Sequence, residues 1–212
     1  MNNKFEFTGE IKVYLGITFR QIRAKVDCKW AKAGDVGGWI EKEESIEHSG
    51  DAWVSADAWV SGDAHVHGNG WVYGDAHVSG NARVYGNARV YCDAQVYGDA
   101  WVYGDAHVYG FARVHGNARV HGNARVHGDA WVYGDAWVNK PILCATRSDG
   151  HTFTVTQQNN GESRITAGCR LFTFPEARQW WTATRLGTPL GEETFSILDH
   201  LERMARIQGW IK

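Results

Sequence analysis

Apolar and polar positions recur with a six-residue period through the middle of the chain. From Gly50 to Asn139, fifteen consecutive hexapeptides follow the pattern Gly-(Asp/Asn)-Ala-x-Val-y, without an insertion or deletion and with four departures, at Ala56, Gly70, Cys92 and Phe111. Valine keeps its place in every one, from Val54 to Val138. Each x-Val-y triplet predicts a short strand with valine on one side and x and y on the other. Gly-(Asp/Asn) is typical of a turn, because glycine adopts unusual backbone angles and Asx side chains bond nearby backbone.

A regular succession of short strands and turns predicts a chain that coils. The spacing of valine and alanine resembles the hexapeptide repeat of left-handed parallel β-helices, in which three hexapeptides form one triangular coil of eighteen residues. The resemblance implies a mainly β fold with five triangular coils for the fifteen hexapeptides. Valine fills a thin core in such a fold, and both ends of the repeat need caps.

The segments that flank the repeat predict two further parts. We expect an N-terminal β cap over 1–49, the repeat over 50–139, and a small C-terminal β+α domain over 140–212. In the cap, a few strands precede a turn over 32–38 and a loop over 41–49. In the C-terminal part we expect a strand over 142–157, a turn over 159–163 and a second strand over 164–169.

Two helices are expected near the C-terminus. Thr173 and Glu176 form a capping box, which predicts a short helix that continues through Trp181. Thr188 precedes a proline and a run of apolar positions on one helical face, so a second, longer helix begins there and ends near Gly209.

The coil period distributes the outward x and y positions over three faces. These thirty positions contain six Trp, seven Tyr, seven His and five Arg, but no Lys or Glu. Such a surface is covered either by stacking of side chains between coils or by another subunit. We therefore expect a homo-oligomer, most simply a homotrimer. The first face is Trp53/Ser55, Trp71/Tyr73, Arg89/Tyr91, His107/Tyr109 and Arg125/His127; the second is Trp59/Ser61, His77/Ser79, Gln95/Tyr97, Arg113/His115 and Trp131/Tyr133; the third is His65/His67, Arg83/Tyr85, Trp101/Tyr103, Arg119/His121 and Trp137/Asn139.

Arginine and aromatic side chains on these faces are the candidate ligand-binding residues. Arginine forks hold phosphates, and aromatic rings stack on bases. Three consecutive Arg-Val-His triplets turn onto three different faces, so they form a basic belt around the prism and not one site. No catalytic residue, metal site or cofactor is assigned. The candidate residues are Arg89, Tyr91, His107, Tyr109, Arg113, His115, Arg119, His121, Arg125, His127, Trp131 and Arg170.

Arginines of the C-terminal domain offer a separate hypothesis. Arg170, Arg178 and Arg185, with Trp180 and Trp181, either bind an anionic ligand or belong to a packed helix whose arginines are solvated. The packed helix is the favoured interpretation.

Two features of the repeat raise the question of metal binding. His65 and His67 lie on one side of a strand, a spacing that some metal sites use, but no third ligand is evident. Asp57, Asp75 and Asp93 fall one above another, so either turn N–H groups or a cation must neutralise them, and the turn is favoured. A second Asx column alternates acid and amide, so its amides can donate to its carboxylates: Asp63, Asn81, Asp99, Asn117 and Asp135. The four cysteines form no CxxC pair.

Charge and termini exclude several classes of function. The formal net charge is −2, which argues against generic nucleic-acid binding and against acidic membrane surfaces. The start MNNKFEFTGE lacks the pattern of a signal peptide, and no apolar run reaches membrane-span length. We expect a protein of the cytoplasm of a bacterial host cell.

The stretches FTGEIKVYLGITFRQIRA and KAGDVGGWIEKEESIEHSGDAWV, followed by many G-(D/N)-A-x-V-y units, resemble phage, prophage and bacterial hexapeptide-repeat proteins. The resemblance covers about residues 5–139 and implies a phage setting more than a reaction. One hypothesis is a non-enzymatic oligomeric binding protein, which sequesters a nucleotide signal of antiphage defence or grips a host defence protein. The alternatives are a hexapeptide-repeat acyltransferase and a purely structural scaffold or virion component. Antifreeze activity is disfavoured, because no threonine lies between Gly50 and Asn139.

Overall fold

The computed structural model describes residues 4–211, and its N-terminal strands lead directly into the repeat. Strand β1 (Phe5–Tyr14) pairs antiparallel with β2 (Ile17–Ala24), which pairs antiparallel with β3 (Val36–Ile40). The third strand then runs parallel to the second strand of the repeat, with Ile40 beside Val60. The N-terminal segment therefore extends one sheet of the solenoid.

The solenoid has about six coils, where five were predicted. Ile40 lies beside Val60, and Ile46 lies beside Val66, so residues 36–46 supply two sides of an additional coil. Both isoleucines are buried in the same core as the valines. The hexapeptide spacing does not reveal this coil, because each isoleucine precedes its valine by 20 positions and not by 18.

Two predictions for the N-terminal segment were wrong in detail. The turn expected over 32–38 is confined to residues 33–34, and Gly37 and Gly38 lie inside β3. Close packing explains these glycines, because a Cβ on Gly38 would lie 2.6 Å from the carbonyl oxygen of Ala58. The loop expected over 41–49 contains a 3₁₀ helix, Glu43–Ser45, and the buried Ile46.

The repeat itself forms one two-residue strand in each hexapeptide, as the pattern predicts. Each strand consists of the x residue and the valine. The fifteen strands are β4 (Trp53–Val54), β5 (Trp59–Val60), β6 (His65–Val66), β7 (Trp71–Val72), β8 (His77–Val78), β9 (Arg83–Val84), β10 (Arg89–Val90), β11 (Gln95–Val96), β12 (Trp101–Val102), β13 (His107–Val108), β14 (Arg113–Val114), β15 (Arg119–Val120), β16 (Arg125–Val126), β17 (Trp131–Val132) and β18 (Trp137–Val138).

Every third strand belongs to the same parallel sheet, which confirms the coil of eighteen residues. Strands β4, β7, β10, β13 and β16 form the first face, and β6, β9, β12, β15 and β18 form the third. Strands β5, β8, β11, β14 and β17 form the second face, which β3, β2 and β1 extend. Backbone N–H groups donate to the coil that follows: Arg89 N–H donates to the Ala106 carbonyl at 2.9 Å, and Tyr91 N–H to the Val108 carbonyl at 3.0 Å.

The core of the solenoid is narrow and made of small side chains. The repeat valines from Val54 to Val138 are at most 2% exposed, and the repeat alanines are buried just as completely. With so little apolar volume per residue, the backbone ladders and the stacked outward side chains must supply much of the stability.

The turn glycines have positive φ angles, and two hexapeptides replace that glycine with a residue that carries a Cβ. Gly98 has φ +69°, and a Cβ there would lie 3.1 Å from the amide nitrogen of Gly116. Ala56 and Cys92 occupy the equivalent position at φ 55° and 58°. L-residues are strained in this region, so these two turns carry a conformational cost that the glycine turns avoid.

Replacing Cys92 with glycine should stabilise the protein. Relief of the left-handed strain outweighs the larger entropy of an unfolded glycine, so we expect a gain of about 1 kcal/mol in the free energy of unfolding. Gly98→Cys is the reciprocal control and should cost at least as much. Urea unfolding measures both values, and a Cys92→Gly protein no more stable than the parent would contradict the strain argument.

The C-terminal domain is a four-stranded antiparallel sheet with two helices packed on it. The strands are β19 (Leu143–Thr146), β20 (Thr152–Gln157), β21 (Ser163–Ala167) and β22 (Arg170–Phe172), in that order. Helices α1 (Phe174–Arg185) and α2 (Pro189–Ile207) follow. The domain has a separate apolar core, centred on Phe153, Ile165 and Leu198.

Several boundaries in this domain differ from those predicted. The strand expected over 142–157 is a hairpin, β19 and β20, with its turn near Ser148 to Gly150. The predicted second strand is likewise followed by a further one, β22. Helix α1 extends to Arg185 and does not end at Trp181.

Both predicted helix starts are confirmed. The Thr173 side chain accepts from the Glu176 amide, and the Glu176 carboxylate accepts from the Thr173 amide. Thr188 caps α2, which ends just before Gly209, where φ is +72°.

The domain is attached to the last coils of the solenoid through backbone contacts. Ile142 N–H donates to the Arg125 carbonyl at 3.1 Å, and Asn159 N–H donates to the Asp135 carbonyl at 3.2 Å. In the described part of the chain, no helix is long and apolar enough to cross a membrane.

Candidate functional site

Aromatic rings on all three faces stack on one another between coils, as the stacking interpretation predicts. On the first face, Tyr73, Tyr91, Tyr109 and His127 form a column with ring centroids 4.8, 5.0 and 5.5 Å apart. On the third face, His67 stacks on Tyr85 at 4.6 Å and begins a column that continues through Tyr103 and His121. These rings bury each other, so their covering does not require another subunit.

Most arginines of the repeat lie over tryptophan rings and not beside carboxylates. Four of the five lie over a tryptophan ring, with Arg83 and Arg119 at 5.0 and 4.9 Å on either side of Trp101. Within residues 4–211, none of the five repeat arginines forms an ion pair. Stacking fixes the plane of a guanidinium while its N–H donors stay free for a ligand.

The structure separates the predicted site residues into four groups. Six share the first face, three the second and two the third, and Arg170 lies apart in the C-terminal domain. The three Arg-Val-His triplets fall in three different sheets, so the belt arrangement is confirmed. The first-face group is Arg89, Tyr91, His107, Tyr109, Arg125 and His127; the second-face group is Arg113, His115 and Trp131; the third-face group is Arg119 and His121.

The first face combines two arginines and a histidine at outward positions of three adjacent strands. Arg89 lies beside His107, and His107 lies beside Arg125, in the register of adjacent strands. Burial lowers the pKa of His107, and the two flanking arginines lower it further. Burial also raises the pKa of Tyr91, so its phenol stays protonated as a hydrogen-bond donor at neutral pH. We call Arg89, His107 and Arg125 the first-face row.

The loop between β2 and β3 contains Trp30 and covers the first face near Trp71, at the end closer to the N-terminus. Trp30 stacks on Trp71 with ring centroids 4.5 Å apart, and its indole N–H donates to the Asn69 carbonyl at 3.0 Å. The Arg89 guanidinium lies 5.0 Å from the Trp30 ring. The first-face row therefore begins where this loop ends and runs toward the C-terminal domain.

The third face contains a groove that the sequence analysis did not predict. It has a volume of about 630 Å³ and runs between two rows of side chains. One row is the Asx column from Asp63 to Asp135, and the other contains Arg83, Trp101 and Arg119. Only Arg119 of this groove was among the predicted residues. Placing the Asx and x columns side by side in the coil register would have shown the two rows, although not the space between them.

Most side chains of the third-face Asx column contact one another or a lysine. The Asn81 amide donates to Asp99 at 2.8 Å, and the Asn117 amide donates to Asp135 at 3.2 Å, so the predicted acid–amide contacts form in one direction. Asp63 pairs with Lys42 at 2.7 Å.

On the second face, Asp57 pairs with Lys12 at 3.2 Å. His65 contacts the Glu44 carbonyl through Nδ1, while His67 stacks on Tyr85. Among residues 4–211, no group of three or more His, Cys, Asp or Glu side chains is placed to hold a metal ion.

Histidine burial predicts that the protein loses stability in mild acid. Burial lowers the pKa of six histidines below 6.5, and two of them, His115 and His121, have a buried Nε2 without a hydrogen-bond partner in the described chain. The unfolded chain binds protons near pH 6.5, but the folded chain binds them only at lower pH, so stability falls as pH drops below about 6.5. The six are His67, His77, His107, His115, His121 and His151.

We expect the thermal midpoint to decrease by several degrees between pH 7.5 and 5.0. Carboxylates contribute little to this window, because those with a shifted pKa titrate below it, as Asp149 does at about 2. A His115→Gln/His121→Gln protein should show a shallower decrease. A midpoint that is flat or rises toward pH 5 would rule out this role of the histidines.

Comparison with known proteins supports the solenoid. A family model described as the YdcK beta solenoid repeat matches residues 82–92 and 94–110, which lie in the central coils. The match covers a small part of the chain, so it shows that these coils are similar to that repeat. No curated protein matches the chain significantly.

Proposed function

We propose that this protein is a non-enzymatic homo-oligomeric binding protein, most simply a trimer, that holds an anionic ligand of nucleotide type on its first face. The observation that carries the proposal is the first-face row, where Arg89, His107 and Arg125 follow one another without an ion pair in the described chain. Arg89 is held over the Trp30 ring before binding, so it loses little entropy on binding, which favours affinity.

The chemistry of the row suits phosphate groups. A guanidinium gives two parallel hydrogen bonds to phosphate oxygens, and the hydroxyls of Tyr91 and Tyr109 stand in the adjacent column. Because the column rings stack face to face, they offer a base their edges and hydroxyls and not open ring faces. A nucleotide with two or more phosphates therefore matches the row better than a bare base does.

A second subunit would complete the site. The row lies on one face of a sheet, whereas small-ligand sites enclose most of the ligand surface. An oligomer whose subunits meet at their first faces would provide the second wall. The resemblance to phage and prophage proteins supports a nucleotide signal of antiphage defence as the ligand, in the cytoplasm of the bacterial host. A defence protein gripped by the same face is the closest alternative.

Two measurements test this proposal. Light scattering should give the mass of an oligomer, and calorimetry against cyclic oligonucleotides and ADP-ribose derivatives should find a ligand with Kd at or below about 1 μM. A monomer that binds no member of the panel would contradict the proposal. That result would favour a structural scaffold, which the internal stacking of the rings also suits.

The acyltransferase alternative has less support. Such enzymes resemble this solenoid but carry a loop that interrupts the repeat and builds the substrate site. Here the strands from β4 to β18 follow one another every six residues without an interruption.

A further inference from the structure

We propose that the C-terminal domain contains a second anion-binding site, independent of the first-face row, which takes a small phosphate or polyphosphate group. A cavity of about 380 Å³ lies between the sheet and α1. Its wall includes Arg147, His151, Cys169, Arg170, Trp180 and Arg185.

Among the described residues, Asp149 is the only carboxylate that lines this cavity, and it is neutralised inside the domain. Asp149 accepts two hydrogen bonds from Arg147, from Nε at 2.9 Å and from Nη2 at 2.7 Å. The remaining donor group of Arg147, Nη1, donates a hydrogen bond to the hydroxyl of Thr194 at 2.7 Å. Arg147 is 4% exposed and each of its guanidinium nitrogens donates a hydrogen bond, so Arg147 and Asp149 neutralise each other at the edge of the cavity.

Two further guanidinium groups line the cavity without such compensation. Arg170 lies 4.0 Å over the Trp180 ring, which fixes its plane. Arg185 ends α1, and neither it nor Arg170 forms an ion pair within residues 4–211. Arg178, also on α1, behaves differently, since it pairs with Asp199 at 2.8 Å and Glu202 at 2.6 Å. The structure thus divides the three arginines that the sequence grouped: Arg178 is structural, and the other two line one cavity.

An excess of two guanidinium charges in a concave site, one of them held over the Trp180 ring, selects a small anion of high charge density. Phosphate and pyrophosphate accept the parallel hydrogen bonds that arginine offers. Burial lowers the pKa of His151, and the charges of Arg147 and Arg185 lower it further, which favours the neutral imidazole in this cavity. A bound phosphate would gain a further hydrogen bond from this ring.

The exposed thiol of Cys169 provides a reporter inside the cavity wall. The other exposed thiol, Cys92, is removed with Cys92→Gly, and the remaining two cysteines are partly buried. We would measure the rate at which iodoacetamide alkylates Cys169, with pyrophosphate or inorganic phosphate added at constant ionic strength. Pyrophosphate should slow the reaction at least about fivefold, with saturation.

Substitution of the two arginines gives the matched comparison. Arg170→Gln/Arg185→Gln should abolish the protection, whereas Arg203→Gln, an exposed arginine on α2, should retain it. An alkylation rate in the parent that is equal in pyrophosphate and in chloride overturns the proposal whatever the variants do. Protection that persists in a folded Arg170→Gln/Arg185→Gln protein also overturns it. The first-face proposal does not depend on either outcome, because none of these residues lies on the solenoid.

Discussion

A Val96→Asp substitution is expected to unfold the solenoid. Val96 lies in a central coil with none of its surface exposed, and its neighbours in the sheet are Val78 and Val114. A carboxylate there has no partner in a core of valine and alanine, so burying it costs more than about 4 kcal/mol. That is a large fraction of the total stability of an ordinary domain. Circular dichroism and thermal unfolding would show the loss.

The residue next to it provides the control. Gln95 belongs to the same strand but points outward, between His77 and Arg113 of the adjacent strands. Gln95→Glu should change the free energy of unfolding by no more than about 0.5 kcal/mol. Because each coil is stabilised by its neighbours, loss of this central coil should abolish the cooperative transition of the whole solenoid. A Val96→Asp protein with the parent's melting temperature would contradict the assignment of inward and outward positions.

Removal of two arginines from the first-face row should have the largest effect on ligand binding. Arg89→Gln/Arg125→Gln deletes two charge-assisted contacts, each worth about 1.5–3 kcal/mol. The combined loss corresponds to affinity reduced by about 100-fold or more. Calorimetry with the ligand identified from the nucleotide panel measures the change.

The third face supplies a variant with the same change of charge. Arg83→Gln/Arg119→Gln removes two arginines from the same place in the hexapeptide, both of which lie over Trp101. We expect this protein to keep its affinity within about threefold, because the contacts that hold the phosphates are intact. Equal losses in the two proteins would indicate a general charge effect, and a loss confined to the third-face variant would move the site to the groove.

The hexapeptide pattern predicted most of the solenoid because each position has one physical role. Valine points inward, x and y point outward, and glycine turns the chain. The register of Arg89 beside His107 therefore follows from the coil period of eighteen residues. The additional coil was missed because Ile40 and Ile46 do not lie 18 residues before the valines beside them. Their apolar character alone does not distinguish a coil from a cap.

The candidate sites were predicted less completely than the fold. The sequence spacing placed six of the candidate ligand-binding residues on the first face. Whether an arginine forms an ion pair depends on interatomic distances, which the spacing does not determine. Arg178 and Arg185 are both on α1, yet one is paired with Asp199 and the other lines a cavity. The groove of the third face and the cavity near Arg170 are spaces between elements, and only the folded chain defines them.

Native mass spectrometry of the oligomer purified from bacterial cells with active antiphage signalling tests the central proposal most directly. The parent protein should carry additional mass of nucleotide size, which heating releases, and the Arg89→Gln/Arg125→Gln protein should lack it. A parent oligomer whose mass is unchanged by heating, or a double variant that keeps the additional mass, would contradict the binding function of the first face.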